Sequence, residues 1–143
     1  MFQDPNHPDL QQLAGHHDAG TATTIPVQQA AVAVEDFQKN ADPALVQQVT
    51  NEHYENMSQA QLKDAAQQFQ DKLQTVASSS PEAAQLAAID PNSATPQQVA
   101  QMHGFLLKNH PELMRDVLIA GGAIAVGALA AFAARRYLAH HGK

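Results

Sequence analysis

The sequence predicts an all-α protein, and three observations carry that prediction. Alanine and glutamine are abundant, with pairs of glutamines recurring along the chain, and both residue types are compatible with helices. Proline repeatedly follows a residue that can cap a helix, which is the usual arrangement at a helix start. No stretch alternates between apolar and polar residues with a period of two, so we expect no β-strand.

The first segment, residues 1–24, is predicted to be a flexible arm. It contains Pro5, Pro8 and two glycines, and it shows no sustained hydrophobic period. We expect at most one helical turn there, near residues 9–14.

Residues 25–110 are predicted to form a small helical bundle. Ser58 and Thr95 are each followed three residues later by a glutamine, Gln61 and Gln98, the pattern of a reciprocal capping box. Proline marks the start of a helix at Pro26, Asp42-Pro43, Ser80-Pro81, Thr95-Pro96 and His110-Pro111.

The clearest helical pattern of the bundle covers residues 58–78. Its apolar residues recur at spacings of four and three, which places them on one buried face. We expect the bundle core to be centred on Leu62, Phe69, Leu73 and Val76.

An apolar run near the C-terminus predicts a helix over residues 111–139. Between Asp116 and Arg135 the chain has 18 residues without a charged or hydrogen-bonding side chain, which just reaches the length of a membrane span. We interpret this helix as a membrane anchor, followed by a basic tail at 140–143. The run contains few large apolar side chains, so it would be a marginal span. The alternative is a central helix of a soluble bundle.

Small residues in this run fall on one side of the predicted helix. Such a stripe lets a second helix approach closely, the main packing device within lipid. We therefore predict a helix-association stripe whose partner is a helix of another protein or a second copy of this chain. The stripe consists of Ala120, Ala123, Gly127, Ala130, Ala131 and Ala134.

Charge is distributed unevenly between the two parts of the chain. Residues 1–116 carry a net charge of −9 and residues 117–143 a net charge of +3. The basic end is expected to contact anionic lipid, with Arg135, Arg136 and Tyr137 as membrane-interface anchors.

The three C-terminal bases favour a cytoplasmic C-terminus. However, we see no secretory signal to carry the acidic part across, so we favour a single-pass protein with a cytoplasmic N-terminal domain.

Several functional classes have little support in the sequence. The chain has no cysteine, which excludes disulfides and thiol chemistry, and its acidic N-terminal part would repel nucleic acid. Its eight histidines lack the spacing of a zinc site: Glu52-His53 has no second histidine, and His103 and His110 lie seven residues apart. No strained nucleophile turn or phosphate-binding glycine loop is present. We expect no catalytic, cofactor-binding or metal site.

These observations lead to three hypotheses. The first is a non-enzymatic, membrane-anchored helical interaction protein that serves as an accessory or scaffold subunit of a larger assembly. The second is a self-assembling structural protein whose C-terminal helices oligomerise into a pore or conduit. The third is a soluble helical bundle that buries the apolar run.

Overall fold

The computed structural model of the chain describes residue 2, residues 7–120 and residues 126–141, and these residues form helices joined by short connections. The all-α prediction is confirmed for this part of the chain, which contains no strand. Short 3₁₀ turns lie at Ala22–Thr24, Ala77–Ser79 and Pro91–Ser93. The α-helices are α1 (Pro8–Ala19), α2 (Val27–Asn40), α3 (Pro43–Glu55), α4 (Gln59–Gln74), α5 (Pro81–Ala87), α6 (Pro96–Asn109), α7 (Pro111–Ala120) and α8 (Val126–His141).

Proline and capping side chains set most of the helix starts, as predicted. Both expected capping boxes form, because the Ser58 and Thr95 hydroxyls accept from the backbone N–H groups of Gln61 and Gln98. The glutamine side chains accept in return from the backbone N–H groups of Ser58 and Thr95, at 2.9 and 3.0 Å. Among the described α-helices, five begin with proline as their first residue, namely those starting at Pro8, Pro43, Pro81, Pro96 and Pro111.

The chain divides into two compact units. Unit 1 comprises residues 1–50 and 125–143, and unit 2 comprises residues 51–124. Unit 1 therefore contains α1, α2 and α8, whereas unit 2 contains α4 to α7, and α3 spans the boundary in sequence.

The described residues of the predicted C-terminal helix over residues 111–139 lie in α7 and α8. Within the described residues this region holds two helices, α7 and α8, and residues 121–125 between them lie outside the description. No helix in the described ranges has both the length and the apolar character needed to cross a bilayer.

Helix α1 lies within the segment that the sequence predicts to be a flexible arm. Its Leu10, Leu13 and Ala14 share one face and are buried. Gly20 ends the helix in the left-handed conformation, with φ of 70°, and its N–H bonds back to the carbonyls of His16 and His17. The apolar period of this segment is short and lies among prolines and histidines, so the sequence did not predict the helix. Packing within unit 1 stabilises it, although its local helix propensity is low.

In unit 1, α8 packs against α1, α2 and the turn at Ala22–Thr24. Phe2 lies edge-on to both Phe37 of α2 and Tyr137 of α8, with centroid distances of 5.2 Å. The Phe2 backbone N–H donates to the Asp36 carboxylate at 2.9 Å. Aromatic packing and this hydrogen bond therefore fix the chain at residue 2 within the unit.

In unit 2, α4 is the central helix and packs against α5, α6 and α7. Leu62, Phe69 and Leu73 are buried on its inner face, whereas Val76, just beyond the helix, is half-buried. These are the four residues that the sequence places in the bundle core.

Glutamines of α4 satisfy backbone carbonyls of neighbouring segments in unit 2. The Gln70 amide donates to the carbonyl of Ala87 at 2.6 Å, at the C-terminal end of α5, where helix carbonyls lack intrahelical partners. Gln59 donates to the carbonyl of Ala94 at 3.1 Å. The abundance of glutamine thus contributes to tertiary structure as well as to helix formation.

Replacing Phe69 with alanine should destabilise unit 2 by about 3–5 kcal/mol, because the ring is fully buried and its removal leaves a cavity. Denaturation by urea, followed by circular dichroism, measures this loss. The control is Gln67→Ala, at an exposed position of the same helix, which should change stability by no more than about 0.5 kcal/mol. Equal effects of the two substitutions would show that α4 is not the core helix.

Candidate functional site

The described residues of the predicted helix-association stripe lie in different environments. Ala130, Ala131 and Ala134 are fully buried in unit 1, where α8 packs against α1 and α2. Ala120 is exposed at the end of α7, in unit 2. Ala123 lies outside the described residues.

Gly127 lies at a close approach between α8 and the turn at Ala22–Thr24. A Cβ atom added at Gly127 would lie 2.5 Å from the carbonyl oxygen of Ala22 and 3.9 Å from the Cβ of Ile25. The first distance is shorter than any van der Waals contact, so only glycine fits here without a shift of the backbone. The stripe residues of α8 thus permit close packing between segments of the same chain.

The three predicted interface anchors lie in different environments. Arg135 is exposed, and its Nε lies 3.4 Å from a carboxylate oxygen of Asp18. The Arg136 guanidinium lies over the Phe132 ring, 5.7 Å from its centroid. Tyr137 is buried against Phe2 and therefore does not lie at the surface.

A cluster of basic and aromatic side chains forms where α1 and α8 meet. The His17 imidazole stacks on the Phe132 ring with a centroid distance of 5.7 Å and an interplanar angle of 20°. His17 also lies 3.7 Å from Asp18, the carboxylate that approaches Arg135. Phe132 is half-buried and is flanked by His17 and by the Arg136 guanidinium.

We define the basic face of unit 1 as His16, His17, Arg135, Arg136 and His140. All five are exposed or half-buried. Arg135 and Arg136 carry positive charge on this face, and the Asp18 carboxylate lies 3.4 Å from Arg135. An exposed face of this kind can bind anions, and the half-buried Phe132 ring, which contacts His17 and Arg136, offers an apolar contact.

A second cluster, in the core of unit 2, is buried. The Tyr54 hydroxyl lies 2.8 Å from Nδ1 of His103, and both residues are fully buried. Burial and the charge of His53 lower the pKa of His103 from 6.5 to about 3, and burial raises the pKa of Tyr54 well above 10. The pair is therefore neutral at physiological pH.

Comparison with known proteins supplies no functional assignment: no family model, curated protein or solved structure matches the chain. Within residues 2, 7–120 and 126–141, no three histidine or acidic side chains come together in a group that could hold a metal ion.

Sequence reasoning missed both clusters. It treated the histidines as isolated groups, and it placed His17 and Asp18 in a flexible arm, away from the C-terminal bases. The pairing of Tyr54 with His103 joins residues 49 positions apart. The available signals were the apolar period of Leu10 and Leu13 in α1 and the position of His103 beside Met102 on the apolar face of α6.

Substitution of Gly127 with alanine should lower the stability of unit 1, by about 1–3 kcal/mol, because the added methyl group cannot fit beside the Ala22 carbonyl. The matched control is Gly15→Ala in α1, where a Cβ would meet nothing within 4 Å. That change should stabilise by about 0.5–1 kcal/mol through helix propensity alone. Thermal melts of both variants check the prediction. A similar gain at both positions would mean that α8 does not lie against this turn.

Proposed function

We propose that this protein is a non-enzymatic helical interaction protein that docks on anionic membrane surfaces through the basic face of unit 1, as an accessory or scaffold subunit. The observation that carries the proposal is the cluster of His17, Phe132, Arg135 and Arg136. It presents guanidinium and imidazole groups around a half-buried ring. Basic residues beside an aromatic ring suit the interface between lipid headgroups and acyl chains.

The charge balance of unit 1 supports this assignment. Unit 1 holds six carboxylates against four lysines and arginines, for a net charge of −2 with neutral histidines, and it contains five of the eight histidines. Unit 2 has a net charge of −4 and contains three histidines, one of which is buried His103. Unit 1 is therefore the less acidic of the two units, and an anionic lipid surface repels it less than it repels unit 2.

A single-pass anchor is the alternative form of the same proposal. It would require α8 to leave α1 and α2, because Leu129, Ala130 and Ala134 are buried within unit 1. Self-assembly through the same small residues would carry the same requirement. Docking through the basic face leaves α8 where it packs, and we therefore favour it over both.

Sedimentation with lipid vesicles tests the proposal. The full chain should bind vesicles containing about 30 % phosphatidylserine and should not bind pure phosphatidylcholine. Replacing Arg135 and Arg136 with glutamine should weaken binding by about 30-fold, since each basic residue near the surface contributes about 1 kcal/mol.

The matched control is Lys63→Gln with Lys108→Gln, which removes two positive charges from unit 2. This variant should retain most of the binding. Equal loss in both double variants, or no binding of the unmodified chain to anionic vesicles, would overturn the proposal. Sodium carbonate should release the bound protein, and resistance to carbonate would instead support the anchored form.

A further inference from the structure

One carboxylate of unit 1, that of Asp18, lies at an unfavourable position in its own helix. Asp18 is the second-last residue of α1, and Gly20 caps the helix directly after Ala19. The last turn of a helix carries partial negative charge on carbonyl groups that lack intrahelical partners, and this charge repels a carboxylate. The energetics of α1 alone therefore do not account for an acidic residue at this position.

The contact between α1 and α8 places a positive charge beside Asp18. The Oδ1 atom of Asp18 lies 3.4 Å from Nε of Arg135 on α8 and 3.7 Å from Nδ1 of His17. Arg135 and His17 both belong to the basic face of unit 1. The carboxylate of Asp18 is thus held against this face and pairs with the Arg135 guanidinium.

The pair between Asp18 and Arg135 is open to solvent. The two side chains are 54 % and 51 % exposed, and the distance of 3.4 Å exceeds the usual range of an N–H···O hydrogen bond. An exposed ion pair of this kind contributes little to stability, because water solvates both charges. The phosphate or carboxylate group of a lipid headgroup can therefore replace the Asp18 carboxylate at Arg135 while α1 and α8 stay packed.

We propose that Asp18 is an internal competitor for the basic face of unit 1. In the unbound protein the Asp18 carboxylate occupies Arg135, and an anionic headgroup displaces it when unit 1 docks. This inference rests on the proposed function and names the residue that sets the strength of docking. Because a headgroup must compete with a carboxylate that is already in place, Asp18 restricts docking to membranes with a high density of anionic lipid.

Asp18→Asn tests the proposal, because it keeps the shape of the side chain and removes its charge. In sedimentation with phosphatidylserine vesicles, the full chain with this substitution should bind about fivefold more tightly than the unmodified chain. That factor is the contribution of about one basic residue near an anionic surface. The variant should also bind vesicles with a lower phosphatidylserine content than the unmodified chain requires.

The matched control is Asp9→Asn, which removes the same charge from an exposed position in the first turn of α1. The helical rise between positions 9 and 18 is about 13.5 Å, which is longer than the Debye length of about 8 Å at physiological salt. Asp9→Asn should therefore change vesicle binding by less than about twofold.

A double-mutant cycle shows whether the gain depends on Arg135. In a chain that carries Arg135→Gln, Asp18→Asn should increase binding no more than Asp9→Asn does, because the group for which Asp18 competes is absent. An equal gain with and without Arg135 would show that Asp18 acts by general charge repulsion, and this result would overturn the proposal.

Thermal melts distinguish a competitor from a structural link between α1 and α8. The competitor role predicts that Asp18→Asn melts at the same temperature as the unmodified chain or slightly higher, because the end of α1 no longer carries a repelled carboxylate. A lower melting temperature together with unchanged vesicle binding would overturn the proposal. If the unmodified chain binds vesicles and Asp18→Asn binds them equally well, the competitor fails and the docking function stands. If neither chain binds them, both proposals fail.

Discussion

The packing of α8 within unit 1 is the contact on which that unit depends. Helix α1 has 12 residues, a length at which an isolated helix is marginal in water. Its buried Leu10 and Leu13, and the buried Phe37 of α2, belong to helices that pack extensively against α8. Removal of α8 would leave these apolar surfaces exposed. The two ends of the chain thus form one unit through the C-terminal helix, and the basic face exists because α1 and α8 are neighbours.

The small residues of α8 satisfy a geometric requirement that is the same in water and in lipid. Two backbones approach closely only where side chains are small, as at Gly127 beside the Ala22 carbonyl. A helix packed in water and one packed in lipid differ in what surrounds the faces that do not contact the partner helix. In this chain Leu129 and Tyr137 are also buried, and the exposed positions near the end of α8 include Arg135 and His140. The large residues Leu129 and Tyr137 of α8 therefore pack within unit 1, whereas its basic residues lie at exposed positions.

Capping residues and prolines made the helix starts predictable from the sequence. The features that depend on contacts between distant segments were not predictable. The Ser58 and Thr95 capping boxes depend on residues three positions apart. The apolar face of α4 could be predicted as well, because its apolar residues recur at spacings of three and four. Helix α1 was missed because its short period is supported mainly by α8, more than 100 residues away. The division into two units, the contact of His17 with Phe132, and the pairing of Tyr54 with His103 all join distant segments, for which one sequence holds no local signal. Part of the apolar run, including Leu129 and Ala134, is buried within unit 1, but composition alone does not distinguish burial in lipid from burial in protein.

Hydrogen exchange of a chain ending at Ile124 tests the central role of α8 most directly, because this truncation removes α8 and leaves the residues of unit 2 complete. We expect residues 8–19 and 27–40 to exchange at rates close to those of an unfolded chain, while α4 and α6 keep the protection that they have in the full chain. If α1 and α2 instead kept their full protection after the truncation, α8 would be a dispensable tether, and its packing in unit 1 would be contradicted.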